Sequence, residues 1–229
     1  MDKAQGIIDK CNSRGRSTLS EWEAREVLDA YQIPVVESRV AKDLKEGKKY
    51  ASRLGFPVVL KILSPDIQHK SDLGAVELNI SSEEEFEGAW QRIEKNVKGE
   101  KEAQIDGMLV QKMAPSGVEL ILGVTNDQSF GPVLLIGLGG VFVEIFKDIS
   151  LRLLPVDRAE ARAMIEEIKG YPLLTGARGR EPADLDCLMD TMLKVSSLVT
   201  EIEEIKELDI NPFILYPEGG VAADALITI

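Results

Sequence analysis

The sequence contains only one histidine and two cysteines in 229 residues. Cys11 and Cys187 are too few and too far apart in sequence to indicate a disulfide framework or a zinc site. A Ser-His-Asp or Cys-His hydrolase would have to use His69, the single histidine, and no Gly-x-Ser-x-Gly motif accompanies it. These shortages disfavour the common hydrolase and zinc-enzyme classes.

Long apolar runs and basic residues are scarce as well. No apolar run approaches the ~20 residues that span a bilayer, and residues 1–5 begin no signal-peptide core. The chain has 27 lysines and arginines against 39 acidic residues, which gives a formal net charge of −12. This charge repels a phosphate backbone, although a local basic pocket can still hold one nucleotide. We expect a cytoplasmic protein that binds neither nucleic acid nor a membrane.

Hydrophobic periodicity predicts two α+β halves after an opening helix at 20–31. Residues 35–112 follow a β-α-β-β-α-β pattern, with one helix ended by Gly55 and another capped by Ser82. The second half begins with three apolar runs that we interpret as an antiparallel meander, at 107–113, 118–125 and 132–138. Its later helices and strands are predicted at 157–169, 183–202, 205–216 and 221–229. No internal repeat is evident.

Lys61 ends a hydrophobic, strand-like run and is a candidate phosphate clamp. The segment after it contains Ser64, Ser71 and Gly74, small residues whose backbone amides can cradle a phosphate. Alternation along the strand also permits a simpler interpretation, in which Lys61 points from a half-buried strand into water. A P-loop is not supported, because no Gly-x-x-x-x-Gly-Lys-Ser/Thr motif occurs.

The last two predicted strands carry oxygen-bearing side chains. If residues 217–220 form a four-residue turn, residue 213 pairs with Asp224, and Asp209 and Asn211 share the face of residue 213. Asp224 would then lie diagonal to Asn211, at a spacing across which two oxygen ligands can hold Mg²⁺. The alternative is a solvated strand face with a turn-forming Asn-Pro sequence.

His69 lies in a polar, loop-like segment that also contains proline and glycine. A neutral imidazole is a nucleophile that can carry a phosphoryl group, and its ordinary pKa of about 6.5 leaves it largely neutral at pH 7. A lone loop histidine is also compatible with a plain surface position. The residues alone leave both interpretations open.

Several segments, in order, resemble the ATP-grasp β subunit of ADP-forming acetyl-CoA synthetase (acetate–CoA ligase, ADP-forming), and more distantly the β subunit of succinyl-CoA synthetase. The resemblance runs from about Leu19 to Ile229. Its most specific segments are 19–24, 31–34, 57–61, 64–72, 130–132, 208–212 and 223–225. One departure is Ala75, where the family usually has a second glycine after Gly74; a positive φ at this position would strain an alanine.

The resemblance implies an ATP-grasp fold in which two α+β lobes clasp ATP. It divides the chain into an N-terminal segment 1–34 that packs with the larger lobe, a smaller lobe 35–111 and a larger lobe 112–229. The implied nucleotide-binding residues are Lys61 at the phosphates, Gly74 in the following loop, Gln111, Lys112 and Met113 at the adenine side, and Glu119 at the ribose or the nucleotide's polar edge. Asn211 and Asp224 would bind Mg²⁺, with Asp209 as a further ligand or a supporting group. The family has two phosphorylated histidines, one on the α subunit and one on the β subunit, and His69 would be the latter.

The implied activity is that of an acid–CoA ligase: acyl-CoA + ADP + phosphate ⇌ carboxylic acid + CoA + ATP. The chain would pass a phosphoryl group from a CoA-binding α subunit, by way of His69, to Mg·ADP, in a complex of α₂β₂ form. Two alternatives stay open: an ATP-grasp carboxylate ligase that acts without an α partner, and a non-catalytic subunit that senses nucleotide. The acyl group and the choice between ADP and GDP are not determined by the sequence.

Overall fold

The structure is a computed structural model that describes residues 2–67, 70–99, 103–140, 147–179 and 181–229. Its residues form two compact units. The first unit comprises Met1–Leu19, Glu23–Val35 and Ser116–Ile229, and the second comprises Ser20–Trp22 and Val36–Pro115. The α+β class predicted from the sequence is confirmed. The boundaries at 34/35 and 111/112 stay predictions, because compactness alone does not establish an independently folding domain.

The second unit contains a four-stranded antiparallel sheet and two helices. Its strands are β1 (Ser38–Ala41), β2 (Val58–Leu63), β3 (Val76–Ile80) and β4 (Gly107–Lys112), in the order β1-β4-β2-β3. Its helices are α3 (Leu44–Leu54), which ends at Gly55 with φ 79°, and α4 (Glu83–Val97), which Ser82 caps by accepting a bond from the Glu85 amide. Both ends agree with the signals in the sequence.

One face of this sheet packs against α3 and α4. The shared core is formed by alternate residues of the strands and by the apolar sides of both helices, including Leu60, Ile62, Val110, Phe86 and Trp90. Because successive strand residues point to opposite faces, the residues between them face away from the helices. That second face carries Lys61 and Gln111.

The first unit contains a six-stranded antiparallel sheet with helices on one face. Its strands are β5 (Val118–Asp127), β6 (Gly131–Leu138), β7 (Ile149–Leu153), β8 (Glu207–Leu215), β9 (Gly220–Ala222) and β10 (Ala225–Thr228). The order is β10-β8-β5-β6-β7, and β9 pairs with the far end of β8. The helices that the structure describes here are α1 (Asp2–Ser13), α2 (Glu21–Ala30), α5 (Arg158–Glu167), α6 (Tyr171–Leu174) and α7 (Leu185–Glu201). The first two residues of α2 group with the second unit. The helices share one hydrophobic core with strand residues such as Leu120 and Ile210.

Two features of the sequence prediction were wrong. The run 107–113 does not belong to a meander with the next two runs: β4 pairs with β1 and β2, and the meander is β5-β6-β7. The final hairpin is not one continuous pair either, since residues 223 and 224 separate β9 from β10. Three of the described elements were missed: α1, β7 and the four-residue α6. The signal for α1 is the helical spacing of Ala4, Ile8 and Cys11, and that for β7 is the alternation of Ile149, Leu151 and Leu153.

None of the helices in the described ranges is long and apolar enough to cross a membrane.

Candidate nucleotide and metal sites

Lys61 lies in β2, which has a partner strand on each side. It pairs with Leu109 of β4 and Val76 of β3, so its side chain is on the sheet face that is turned away from α3 and α4. The side chain is only 8% exposed. The simpler interpretation, a lysine pointing from a half-buried strand into water, was therefore wrong.

Glu21, the first residue of α2, joins Lys61 to a second lysine. Its Oε1 accepts a hydrogen bond from Nζ of Lys61 at 2.8 Å, and its Oε2 accepts one from Nζ of Lys70. The Glu21 side chain is 1% exposed and that of Lys70 is 13% exposed. The three side chains form a buried cluster, which we call the Glu21 cluster.

Charge determines the ionisation of Glu21. Burial on its own would raise the pKa of the Glu21 carboxyl. The charges of Lys61 and Lys70 and their hydrogen bonds outweigh this effect and lower the pKa below its usual value. Glu21 is therefore ionised at neutral pH and both ammonium groups are held against it.

Gln111 shares the face of Lys61. It pairs with Val59 of β2 and Ser38 of β1, and directly opposite residues in antiparallel strands point to the same side. Gln111 is 2% exposed. Lys112, the next residue, is exposed and has the parity of Val110, which belongs to the helix-covered face. Of the predicted adenine-side residues, Gln111 is thus on the face of Lys61 and Lys112 is not.

Met113 follows β4, and its backbone amide donates to the carbonyl of Pro57 at 3.0 Å. This bond closes the end of the β2–β4 pairing. The Met113 amide is thus already hydrogen-bonded inside the protein. Contact of Met113 with adenine stays a prediction.

Gly74 closes the turn that begins at Lys70. The Gly74 amide donates to the carbonyl of Ser71 at 3.0 Å, and the Ala75 amide donates to the carbonyl of Lys70 at 2.8 Å, which is the Schellman pattern. Gly74 has φ 59°, as the pattern requires, and its carbonyl accepts from Nδ2 of Asn96 at 2.8 Å. Because its amide is engaged in the turn, contact of Gly74 with a phosphate stays a prediction.

Ala75 is not strained in this turn. Among the described residues, a positive φ outside glycine occurs at Gln32, Asn79 and Lys147, and not at Ala75. Ala75 is also fully buried, and its carbonyl accepts from the Ile62 amide at 2.9 Å. Of positions 74 and 75, only position 74 has a positive φ that favours glycine.

The predicted metal ligands Asp209 and Asn211 lie in β8, but the predicted register was wrong. Leu215 pairs with Gly220, so the turn occupies residues 216–219 rather than 217–220. Asp224 consequently lies directly opposite Asn211 instead of diagonal to it, and the Asn211 amide donates to its carbonyl at 3.3 Å. The correction brings Asp224 closer to Asn211 than the sequence predicted.

The predicted face was wrong as well. A bulge in β8 places Asn211 and Pro212 together opposite one residue of β5, so the alternation changes sides at this point. Ile210 and Phe213 are both buried in the core, whereas Asp209 and Asn211 lie on the other face. They do not share the face of Phe213. Pro212 has no N–H to donate to a ladder, which suits it to a bulge.

Asp209 and Asp224 are close enough to affect each other. Partial burial raises the pKa of Asp209, and the negative charge of Asp224 raises it further. Two carboxylates and the amide oxygen of Asn211 are hard donors of the kind that Mg²⁺ binds. Among the described residues no three His, Cys, Asp or Glu side chains converge on a metal position, so Asn211 would be the third donor. The set suits one divalent cation that also keeps water or phosphate oxygens as ligands.

Glu119 lies in β5, exposed and on the same face as Asp209. It pairs with Ile214, while Asp209 pairs with Gly123, four residues further along β5. At ~3.3 Å per residue the two acidic residues are roughly 13 Å apart along the strand. Glu119 therefore does not join the metal set. A separate contact with another part of a nucleotide stays a prediction.

His69, the predicted phosphoryl carrier, lies outside the described residues. The Glu21 cluster was missed by sequence reasoning. The helix at 20–31 is predicted from local signals, and no local signal connects Glu21 with a lysine 40 residues later. A glutamate at the first turn of a helix has an ordinary explanation in the helix dipole.

Comparison with known proteins identifies the family. Residues 10–229 match a family model described as an ATP-grasp domain. The chain is 47% identical over 231 residues to subunit beta of acetate–CoA ligase (ADP-forming) II from Pyrococcus furiosus, covering 99% of this chain and 98% of that protein.

Solved structures give the same result. One of acetyl-coenzyme A synthetase 1 from Ca. Korarchaeum cryptofilum, with coenzyme A and Ca-AMPCP, has a TM-score of 0.95 and 45% identity over 99% of both chains. Another of that enzyme, with Mg-AMPPCP, has its phosphohistidine segment pointing towards the nucleotide site; its TM-score is 0.87 and its identity 43%, over 99% of both chains. The predicted ATP-grasp fold is confirmed.

Proposed function

This chain belongs to the family of ATP-grasp β subunits of ADP-forming acetate–CoA ligases, and we propose that it performs the nucleotide half of that reaction. The whole reaction converts acyl-CoA, ADP and phosphate into carboxylic acid, CoA and ATP. The relative from Pyrococcus furiosus is named as a β subunit, which implies a second subunit. We propose that this partner binds CoA, and that the complex is α₂β₂ and cytoplasmic, two-fold assemblies being the commonest.

The observation that carries the proposal is the oxygen set on β8 and the segment before β10. Asp224 lies directly opposite Asn211, and its charge acts on Asp209. Carboxylates that lie close together in spite of their repulsion are typical of a site that binds a cation. We assign Mg²⁺ to Asn211 and Asp224, with Asp209 as a further ligand or a group that supports the site.

The remaining roles follow from the chemistry of phosphoryl transfer, in which catalysis consists mainly of positioning and charge stabilisation. Lys61 is assigned to the nucleotide phosphates, where a buried ammonium group stabilises the charge that develops. Gln111 is assigned to the base side, with Met113 beside it, and Glu119 to the ribose. His69 is assigned to covalent storage of the phosphoryl group, which an imidazole can perform near neutral pH.

Reconstitution tests the proposal. The chain is mixed with a CoA-binding α subunit, and ATP formation from acetyl-CoA, Mg·ADP and phosphate is followed. Activity should require both subunits. Formation of acyl-CoA from acid, CoA and ATP by this chain alone would show that the two-subunit assignment is wrong.

Calorimetry on the chain tests the nucleotide site separately. Lys61→Ala should weaken Mg·ADP binding by about 1–3 kcal/mol, the range for a hydrogen bond to a charged group. Lys48→Ala is the matched control, because Lys48 is a lysine of the same unit that forms ion pairs with Glu83 and Glu87 on the helical side. Equal affinities of the Lys61 variant and the control would remove Lys61 from the site.

A further inference from the structure

The Glu21 cluster contains two lysines, and the proposed function uses only one of them. Both ammonium groups bond to the two oxygens of one carboxylate. Hydrogen-bond lengths then limit the separation of the two Nζ atoms to at most about 8 Å. A diphosphate is long enough to contact two ammonium groups at such a spacing. The geometry of the cluster therefore suits more than one phosphate oxygen.

The charges in the cluster suit an anion as well. One carboxylate and two ammonium groups leave one positive charge in excess among these three side chains, and the lysine side chains are only 8% and 13% exposed. The positive charge of this group of side chains attracts a negatively charged ligand, and the low exposure of both lysines strengthens the attraction.

Lys70 is held in place from two directions. Its ammonium group is bonded to the buried Glu21, and its carbonyl accepts from the Ala75 amide in the turn that Gly74 closes. A lysine on a flexible stem loses rotamer freedom when it binds a ligand, and prior fixation removes that cost from the binding step. Lys70 also directly follows His69 in the sequence, next to the proposed phosphoryl carrier.

We propose that Lys70 is a second phosphate-binding cation of the nucleotide site, and that Glu21 is a positioning residue that holds Lys61 and Lys70 together as a preformed pair. The ligand class is a nucleoside di- or triphosphate, as in the proposed function on which this inference rests. Lys61 and Lys70 contact the phosphate chain. Glu21 does not contact the nucleotide and acts through the two lysines.

The test compares nucleotides that differ only in phosphate number. Affinities of the full-length chain for Mg·ATP, Mg·ADP and AMP are measured by calorimetry for the wild type, Lys70→Met, Lys70→Arg and Glu21→Gln. Lys48→Met is the matched control, since it removes an ion-paired lysine from α3. Lys70→Met should weaken Mg·ADP and Mg·ATP at least tenfold and AMP less than threefold, and Lys70→Arg should restore most of the loss.

Glu21→Gln should show the same dependence on phosphate number, because it releases both lysines. A merely structural role for Glu21 would weaken the binding of all three nucleotides equally. If Lys70→Met does not fold, Lys70→Gln keeps a donor towards Glu21 without the charge. If Glu21→Gln does not fold, Glu21→Asp shortens the same carboxylate.

Three results would overturn the inference. Wild-type affinities in a folded Lys70→Met or Lys70→Gln variant would exclude Lys70 from the site. Equal weakening of all three nucleotides would reduce the cluster to a structural role. Tighter binding of Mg·ADP by Glu21→Gln would show that Glu21 competes with the ligand. A wild-type chain that binds none of the three nucleotides would instead reject the proposed function itself.

Discussion

Asp209 illustrates at the scale of one residue how a site can oppose stability. Its carboxyl is partly buried and lies near the charge of Asp224, and both effects raise its pKa. An ionised Asp209 beside the charge of Asp224 gives the folded chain a repulsion that the unfolded chain lacks. Residues retained against stability in this way are typical of functional sites.

Asp209→Asn should therefore stabilise the chain and impair its site. Removing one of the two charges is expected to raise the free energy of unfolding by about 0.5–2 kcal/mol without metal, the range of single stabilising substitutions. Mg²⁺-dependent binding of ADP should weaken in the same variant. Thermal denaturation and calorimetry, each with and without Mg²⁺, measure the two effects. A less stable variant would show that the repulsion is not significant.

The pKa of Glu21 is shifted in the opposite direction to that of Asp209. Its pKa is lowered in the folded chain, so its contribution to stability is complete above the ordinary value of 4.5 and is lost as pH falls through the lower folded-state value. Glu21→Gln should cost about 3–5 kcal/mol at pH 7, since it removes the buried negative charge that both lysines contact. The difference from the wild type should shrink in strongly acidic solution.

Denaturant unfolding between pH 7 and pH 2.5 measures this dependence. The control is Glu77→Gln, since Glu77 pairs with Arg92 on the surface, where such pairs contribute about 0–1 kcal/mol. A Glu21→Gln penalty that stays constant across this range would contradict the assignment of charge as its cause.

Local sequence predicted some site residues but not their partners. Lys61 was predicted because a lysine that follows an apolar, strand-like run is a common phosphate clamp, and its strand position follows from that run. Glu21 was missed because its partners are 40 and 49 residues away, a long-range packing relation that helix signals cannot contain. The burial of Lys61 results from the same tertiary packing.

At the scale of elements, sequence periodicity located helices and strands better than it located their registers. The ends of α3 and α4 were predicted because Gly55 and Ser82 act locally. The faces of β8 were predicted wrongly because one bulge at Asn211 and Pro212 reverses the alternation. A bulge depends on the neighbouring strand, and the sequence of β8 alone does not reveal it. The error concerned the predicted metal ligands themselves.

The turn from Lys70 to Ala75 gives a prediction about two glycines. Gly74→Ala should destabilise the chain by about 1–2 kcal/mol, because φ is 59° and a Cβ atom would lie 2.7 Å from Nδ2 of Asn96. Gly6→Ala in α1 is the matched control: no atom apart from the neighbouring backbone of α1 lies within 4 Å of its Cβ position, and a helical alanine should stabilise by about 0.5–1 kcal/mol. Chemical denaturation measures both. Effects of the same sign would contradict the assigned backbone roles.

At the scale of the whole molecule, each unit carries a different part of the proposed chemistry. The Glu21 cluster and Gln111 belong to the second unit, and the oxygen set belongs to the first. The net charge of −12 leaves the two buried lysines as a local exception in an acidic protein. Such an exception is consistent with a small anionic ligand and not with broad electrostatic binding of a nucleic acid.

A test of His69 requires the whole complex, because a phosphoryl carrier acts between the two subunits. If His69 relays the phosphoryl group, His69→Ala should leave folding and Mg·ADP affinity unchanged and abolish transfer from the phosphorylated α subunit to ADP. Labelled phosphate on the wild-type chain should be acid-labile, as expected for phosphohistidine, and absent from the variant. Turnover at the wild-type rate in His69→Ala, with the α subunit present, would favour a ligase that phosphorylates its carboxylate directly. Nucleotide binding without any transfer, even in the wild type, would favour a sensing subunit.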